Sequence, residues 1–198
     1  MASTQPIRDK KKVIELSEYY FNLGEMRNYV LIEVGLYTAL RIGDILRITW
    51  DDVYDFEKER FLANLDITEE KTNKSKIVAL HKNVINALTA YSYAAAPGMP
   101  LIINPDSGEA ISRIQAYRLV RDAGIGINLD MRISCHTLRK TFGYHAWKDG
   151  VPPVVLMEIF NHSSYEITRR YLGVAQDDKN EVYLDTDYND IAKMRVSN

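Results

Sequence analysis

Apolar residues recur at helical spacing through most of the chain. Four of them predict a first amphipathic helix that ends at Gly24: Ile14, Leu16, Tyr20 and Leu23. The segment 29–40 is apolar nearly all round, which predicts a central, buried helix. A short helical turn over 44–48 follows, and Trp50 is expected to pack just beyond it.

Between residues 61 and 80 the apolar spacing becomes that of strands. Phe61, Ala63, Leu65 and Ile67 alternate with polar residues, and 77–80 forms a second β-like run. The polar stretch 69–75 would connect the two as a hairpin. A short strand is also possible over 101–103.

The second half of the chain returns to helical spacing. A helix marked by the apolar positions from Val84 to Tyr91 is predicted to end at Pro97-Gly98. Further helices are predicted from a cap at Ser112 to about 123, over 137–148 and from Pro152-Pro153 to about 159. Ser163 and Glu166 form a capping-box pattern for a last core helix ending at Gly173. These elements predict an α+β fold, mainly α, with a small antiparallel β-sheet inserted among helices.

Composition places the chain among globular proteins. Its 198 residues suffice for one domain with a real core, and no segment approaches the roughly 20 apolar residues of a membrane span. The N-terminus lacks a signal-peptide layout. The single cysteine, Cys135, cannot form an internal disulfide, which fits a reducing compartment. We therefore expect a cytoplasmic protein with no membrane partner.

The formal net charge of −2 is a mild argument against nucleic-acid binding. The acidic excess lies in the tail, because the segment after Tyr171 contains 3 Lys and Arg residues against 6 Asp and Glu residues. Between Ser112 and Tyr171 there are 9 bases against 5 acids, together with three histidines. A near-neutral protein can bind DNA when its basic residues lie on one face of the molecule.

Several polar residues could carry chemistry, although each also fits an ordinary role. His136 and Arg139 lie three apart at a predicted helix start, where both could reach one phosphate, or both could be surface residues. Arg41 could simply pair with Asp44. Lys71 lies in a lysine-rich turn, His162 lies in a loop, and Tyr171 is one of 13 tyrosines. No single residue identifies a site.

Taken in order, these residues resemble the catalytic motifs of tyrosine recombinases and phage-type integrases. The segment 38–46, Thr-Ala-Leu-Arg-Ile-Gly-Asp-Ile-Leu, resembles the first arginine box, and 70–74 before 77–80 resembles the β-hairpin lysine segment. The run His136-Thr-Leu-Arg139 resembles the His-x-x-Arg box. Asn161-His162-Ser-Ser and Thr-Arg-Arg-Tyr171 resemble the second-histidine and nucleophile segments.

The resemblance extends from about residue 13 to 173, and its departures are small. Asn161 stands where the family usually has glycine, and Lys140 occupies a position that varies among bases. We expect a single catalytic domain over 1–198, with a core of about 7–175 and a tail of about 176–198. Most relatives also carry an N-terminal helical DNA-clamping (core-binding) domain, which we expect to be absent here. The chain would then be a catalytic fragment or a short single-domain member.

The resemblance implies a site-specific recombinase or integrase that cleaves and rejoins DNA through a 3′-phosphotyrosyl intermediate. It implies that Tyr171 is the nucleophile, that Arg41, Arg139 and His162 bind the phosphate, and that His136 is the base or an orienting group. Lys71 would protonate the leaving 5′-oxygen. Asp44 is expected to orient Arg41 or to hold the fold.

No cofactor and no metal ion is expected, because arginine can supply the positive charge that many phosphoryl-transfer enzymes take from metals. The expected partners are double-stranded DNA and further copies of the chain, as a tetramer on paired sites and as a possible monomer when free. The tail could dock on a neighbouring subunit or pack on its own subunit. Two alternatives remain open: a type IB topoisomerase with similar chemistry, and a non-catalytic DNA-binding regulator on the same fold.

Overall fold

Helices make up most of the computed structural model, which describes residues 4–173 and 176–185. The helices are α1 (Lys10–Asn22), α2 (Met26–Tyr37), α3 (Ile42–Ile45), α4 (Lys82–Tyr91), α5 (Arg113–Gly126), α6 (Cys135–Lys148), α7 (Pro153–Ile159), α8 (Tyr165–Leu172) and α9 (Gln176–Asp185). Short 3₁₀ turns occur at Trp50–Asp52 and Ser92–Ala94. The strands are β1 (Tyr54–Asp55), β2 (Arg60–Phe61), β3 (Asn64–Thr68) and β4 (Ser75–Ala79).

α2 is the central helix, as its apolar pattern predicts. One of its sides, with Leu31 and Val34, packs on a cluster that includes Trp50 and residues of α4. Its other side, with Ile32 and Leu36, packs on α1 and α5. Because other elements cover both sides of α2, this helix does not show the polar face that an ordinary surface helix turns to solvent.

The predicted antiparallel hairpin is confirmed, but its strands have different bounds from those predicted. β3 and β4 pair antiparallel with Leu65 opposite Val78, and both side chains are buried. Phe61 does not belong to β3: it lies in β2, which pairs with β1 in a separate two-stranded sheet. Leu101 and Ile102 are buried, but among the described residues the segment 101–103 makes only an isolated bridge, between Ile103 and Ala110, so the strand prediction there is wrong.

Helix ends differ from the predictions by a few residues, for local reasons. α2 ends at Tyr37, earlier than predicted, because Ala39 adopts a left-handed conformation with φ of 55°. α6 begins at Cys135, so His136 is already inside the helix. α8 is capped by Ser164, whose hydroxyl accepts from the Ile167 amide; the predicted cap at Ser163 is therefore wrong by one residue.

A third, small cluster of buried residues joins the end of α2 to the helices that follow α6. It contains Ala39, Leu156, Phe160 and Leu172. Through this cluster, residues close to Arg41, His162 and Tyr171 share one packed unit although they lie far apart in the chain. Within the described ranges, no helix combines the length and the hydrophobicity that a bilayer crossing needs.

Candidate active site

The turn after α7 places His162 and leaves two carbonyls available. Asn161 has a φ of 51°, its amide donates to the Glu158 carbonyl at 2.9 Å, and the His162 amide donates to the Met157 carbonyl at 3.0 Å. This is the Schellman pattern, in which a left-handed residue reverses the chain and closes the helix end. The carbonyls of Ile159 and Phe160 thereby accept from side chains.

Three cations from distant segments donate to those two carbonyls. Arg41 Nη2 lies 3.3 Å from the Phe160 oxygen, and Arg139 Nη2 lies 2.9 Å from the same atom. Lys76 Nζ donates to the Ile159 oxygen at 2.7 Å. The turn thus holds two arginines and a lysine together although a neutral carbonyl carries no net charge.

The backbone around Ala39 fixes both arginines. Its left-handed conformation ends α2 and turns the chain so that Arg41 caps α3. The Ala39 carbonyl accepts a hydrogen bond from Arg139 Nη1, so the second arginine is tied to the segment that carries the first. Arg139 is 2% exposed, whereas the Arg41 side chain is 20% exposed. Arg41 therefore presents more surface to a ligand than Arg139 does.

Arg41 pairs with Glu69 and not with Asp44. Its Nη1 lies 2.9 Å from Oε2 of Glu69, a carboxylate that is fully buried. Asn161 Nδ2 and Thr72 Oγ1 donate to the same oxygen, at 2.7 Å and 2.9 Å. Burial raises the pKa of Glu69, but these hydrogen bonds outweigh it and hold that pKa below its ordinary value. Glu69 is thus an anion beside the arginines.

Asp44 holds the fold, which is one of the two roles expected of it. Its Oδ1 accepts from the Glu70 amide at 2.8 Å and from Arg47 Nη2 at 3.2 Å. It therefore ties the turn of the β3–β4 hairpin to α3. This contact fixes the start of the connection that carries Lys71.

An open pocket of about 560 Å³ lies beside these groups. Arg41, Lys71 and His136 line it together with Arg113 and residues of α3. Lys71 is exposed on the hairpin, and His136 lies in the first turn of α6, three residues before Arg139 as predicted. In the described part of the chain, no three His, Cys, Asp or Glu residues are grouped as a metal site would require.

Tyr171 and His162 lie against Phe160, on the side of Arg139. The rings of His162 and Tyr171 meet edge to face with centroids 5.0 Å apart, and the Phe160 and Tyr171 centroids are 5.1 Å apart. The Arg139 guanidinium lies over the Tyr171 ring, with Cζ 5.9 Å from the ring centre, and Lys140 Nζ lies 5.1 Å from the same centre. His162 Nδ1 shares a 3.0 Å hydrogen bond with Thr168 Oγ1, so α8 also holds the histidine.

Burial and crowding of cations control protonation at the site. Burial, followed by Arg139 and Arg41, lowers the pKa of His162 to about 4. Burial and neighbouring cations also lower the pKa of His136, and burial together with Arg139 lowers that of Lys76 to about 8. Burial raises the pKa of Tyr171 although Arg139 opposes this. At neutral pH both histidines are neutral and the phenol keeps its proton.

The comparisons with known proteins agree on one family. The profile described as "Phage integrase family" matches residues 9–178. The chain is 36% identical over 183 residues to "Probable integrase/recombinase YoeC" of Bacillus subtilis (strain 168), a match that covers 92% of this chain and 97% of that protein. The chain belongs to the phage integrase family.

Longer members of the phage integrase family match over part of their length. "Tyrosine recombinase XerD" of Staphylococcus epidermidis (strain ATCC 12228 / FDA PCI 1200) is 24% identical over 164 residues, which are 79% of this chain and 53% of that protein. The chain therefore spans about half of such relatives.

Solved structures of the family share the fold. The XerA recombinase superposes with a TM-score of 0.75 at 20% identity, over 93% of this chain and 66% of that one. XerH bound to palindromic difH substrate, a post-cleavage complex, gives 0.72 at 16% identity, over 91% of this chain and 53% of that one. The expected α+β recombinase catalytic-domain fold is confirmed.

The six residues singled out by the family resemblance all lie in or against one region. Arg41, Lys71 and His136 line the pocket, whereas Arg139, His162 and Tyr171 contact each other or Phe160 behind it. The sequence reasoning missed the groups that support them: Glu69, Asn161, Thr168, Lys76 and the Phe160 carbonyl. A backbone carbonyl gives no signal in a sequence, and a single acid in a charged hairpin gives almost none.

Proposed function

We propose that this chain is a site-specific DNA recombinase that cuts and rejoins strands through a covalent bond between Tyr171 and a 3′-phosphate. One observation carries most of the proposal. Arg41 and Arg139 both donate to the Phe160 carbonyl, directly beside the paired rings of His162 and Tyr171. A phosphodiester placed there would meet two guanidinium groups and one phenol.

The arginines and His162 would stabilise the transition state. Attack on phosphorus increases the charge on the non-bridging oxygens, which Arg41 and Arg139 would bind through their planar forks. The neutral His162 would donate one further hydrogen bond. Preorganised donors of this kind contribute roughly 3 kcal/mol each. Because arginine carries this charge, the reaction would need no metal ion.

His136 and Lys71 would move the protons. The phenol keeps its proton in the free protein, so the proton must leave as Tyr171 attacks the phosphorus. His136 has a lowered pKa and is neutral, which leaves it able to accept. Lys71, exposed on the hairpin at the pocket, would give a proton to the departing 5′-oxygen. Attack of another 5′-hydroxyl on the phosphotyrosine would reverse these steps and seal the strand.

Double-stranded DNA is the proposed substrate. Among the structural neighbours are a lambda integrase dimer bound to a COC′ core site and the Tn1549 transposon integrase in complex with circular-intermediate DNA. We propose that this chain also works as an assembly on paired sites, a tetramer, with α9 and the residues after it as candidates for subunit contacts. The apolar tail positions Tyr188, Ile191 and Met194 lie outside the described residues.

A nicked suicide substrate tests the proposal. DNA that flanks the gene supplies candidate sites, and a nick beside the cleavage point lets the released 5′-hydroxyl fragment diffuse away. We expect a covalent protein–DNA adduct, seen on a denaturing gel and retained in excess EDTA. Tyr171→Phe should form none, whereas Tyr165→Phe, at an exposed tyrosine of the same helix, should react normally.

Other outcomes would favour the alternatives. DNA binding without any adduct from the wild-type protein would indicate a non-catalytic regulator. Adduct formation with relaxation of a plasmid that lacks a recombination site, and with no strand exchange, would indicate a topoisomerase. An adduct that persists in Tyr171→Phe would refute the assignment of the nucleophile.

A further inference from the structure

Asn161 makes a side-chain contact that its backbone role does not require. The residue needs a left-handed conformation for the turn after α7, which glycine supplies at no steric cost and which asparagine tolerates. Its Nδ2 nevertheless reaches a second element and donates to Glu69 Oε2 at 2.7 Å. The side chain thus links the His162 turn to the β3–β4 hairpin across 92 residues of sequence.

All the side-chain hydrogen bonds described for Glu69 converge on one oxygen. Asn161, Thr72 and Arg41 donate to Oε2, whereas Oε1 is buried and, within the described part of the chain, accepts no hydrogen bond. A fully buried carboxylate held at a single atom depends strongly on each donor, because a lost donor is not replaced by water. The position of this carboxylate is therefore sensitive to Asn161.

Glu69 in turn orients Arg41. The guanidinium is fixed at two points, Nη1 on Glu69 and Nη2 on the Phe160 carbonyl. Since Phe160 directly precedes Asn161, one turn of chain holds both anchors: the carbonyl directly, and the carboxylate through the amide. Removal of the amide loosens the shorter of these contacts, the one to Glu69, and leaves the 3.3 Å contact to the Phe160 carbonyl.

We propose that Asn161 is a positioning residue that orients Arg41 through the shared Glu69 carboxylate. This inference rests on the proposed function for its catalytic consequence. It adds to that function a residue that touches neither the phosphate nor the nucleophile.

The test variant is Asn161→Gly, which removes the amide and keeps the left-handed turn free of strain. The matched control is Asn128→Gly, at another asparagine with a φ of 50° that follows α5, far from the pocket in sequence and outside its lining. Asn161→Asp is a second variant: it keeps the shape, but a carboxylate cannot donate and repels Glu69. Melting temperatures should stay within a few degrees for both glycine variants.

The first measurement needs no activity. In the ¹⁵N spectrum of the free protein, the Arg41 guanidinium of the wild type should show slow rotation about the Cζ–Nε bond, assigned with Arg41→Lys. In Asn161→Gly and Asn161→Asp that rotation should become fast, and in Asn128→Gly it should not change. An unchanged Arg41 signal in Asn161→Gly would overturn the proposal.

The second measurement is the single-turnover cleavage rate at saturating DNA. Loss of one hydrogen bond to a charged group predicts a roughly tenfold slower rate for Asn161→Gly, with an unchanged DNA dissociation constant. On DNA with a methylphosphonate at the cleaved position, the phosphorus group is neutral and depends less on Arg41, so the deficit should shrink to about twofold or less.

The outcomes separate this inference from the proposed function. A deficit that persists on the methylphosphonate, or a weaker dissociation constant with a normal rate, would overturn the action through Arg41. Absence of an adduct from the wild type would instead refute the proposed function and with it the catalytic part of the inference. The Arg41 spectrum would still decide the positioning part.

Discussion

Gly143→Ala should damage cleavage far more than folding. Gly143 lies in the middle of α6, facing Phe160 and α8. A Cβ at this position would lie 2.5 Å from Phe160 Cζ and 2.9 Å from Leu172 Cδ2. Carbon atoms pack at roughly 3.5–4.0 Å, so Phe160 must move by about 1 Å. The carbonyl of Phe160 accepts from both arginines, and the ring of Phe160 contacts Tyr171. A displacement of Phe160 therefore reaches the reacting groups.

The two effects differ in size. Overpacking in a core costs about 1–3 kcal/mol, and alanine returns about 1 kcal/mol of helix propensity, so the net loss of stability is about 0–2 kcal/mol. A displacement of about 1 Å at a reacting centre can slow a reaction by roughly 100-fold. We therefore expect nearly normal unfolding and a strongly reduced cleavage rate.

The assay compares denaturant unfolding with single-turnover cleavage of the nicked substrate. Gly126→Ala is the matched control, because a Cβ there would overlap the Tyr19 ring at the end of α5, among residues that do not line the pocket. It should lose stability and keep its cleavage rate. If Gly143→Ala unfolded at lower denaturant yet cleaved within threefold of the wild type, the mechanical link from α6 to the site would be refuted.

Three further predictions follow from burial and from contacts near the site. The pKa of His162 is about 4 in the fold against 6.5 ordinarily, so the unfolded chain binds more protons between those values. The free energy of unfolding, measured by urea titration, should therefore fall as pH falls from 6.5 to 4. The fall should be less steep in His162→Gln, and an equal pH dependence in the two proteins would contradict this. Burial raises the pKa of the Cys135 thiol to about 11, so iodoacetamide should label it slowly at pH 7.5 and much faster in urea, by mass spectrometry; fast labelling of folded protein would contradict it. Arg8 Nη2 donates to the Gly173 carbonyl at 2.6 Å, so Arg8→Ala should speed hydrogen exchange in α8 whereas Lys11→Ala should not; equal exchange in both variants would show that this contact does not hold the helix end.

The sequence predicted best where a pattern is repeated or a motif is long. α2 is apolar nearly all round and packs on core clusters on two sides, and the alternation around Leu65 correctly predicted the β3–β4 hairpin. The ordered motifs of the family indicated the fold and six candidate residues. A motif specifies the residue type at several positions at once, whereas composition specifies no individual position.

Prediction failed where one residue's backbone or a distant contact decides the structure. Ala39 adopts a left-handed conformation that no rule for alanine predicts, and it ends α2 before the apolar run does. The 101–103 segment is as apolar as a strand, but the backbone beside it pairs through isolated bridges and not through a continuous ladder. Arg41 pairs with the buried Glu69, 28 residues away, and not with the nearby Asp44. Such choices depend on tertiary packing, which local spacing does not encode.

The near-neutral composition is compatible with a strongly cationic site because of the groups that hold the cations. Arg139 is bound by the carbonyls of Ala39 and Phe160, and Lys76 by that of Ile159. A carbonyl satisfies a donor without cancelling its charge. Burial and the neighbouring arginines lower the pKa values of Lys76 and His162, although Glu69 opposes this for Lys76. A net charge of −2 therefore describes the whole chain and not the surface that a phosphate would meet.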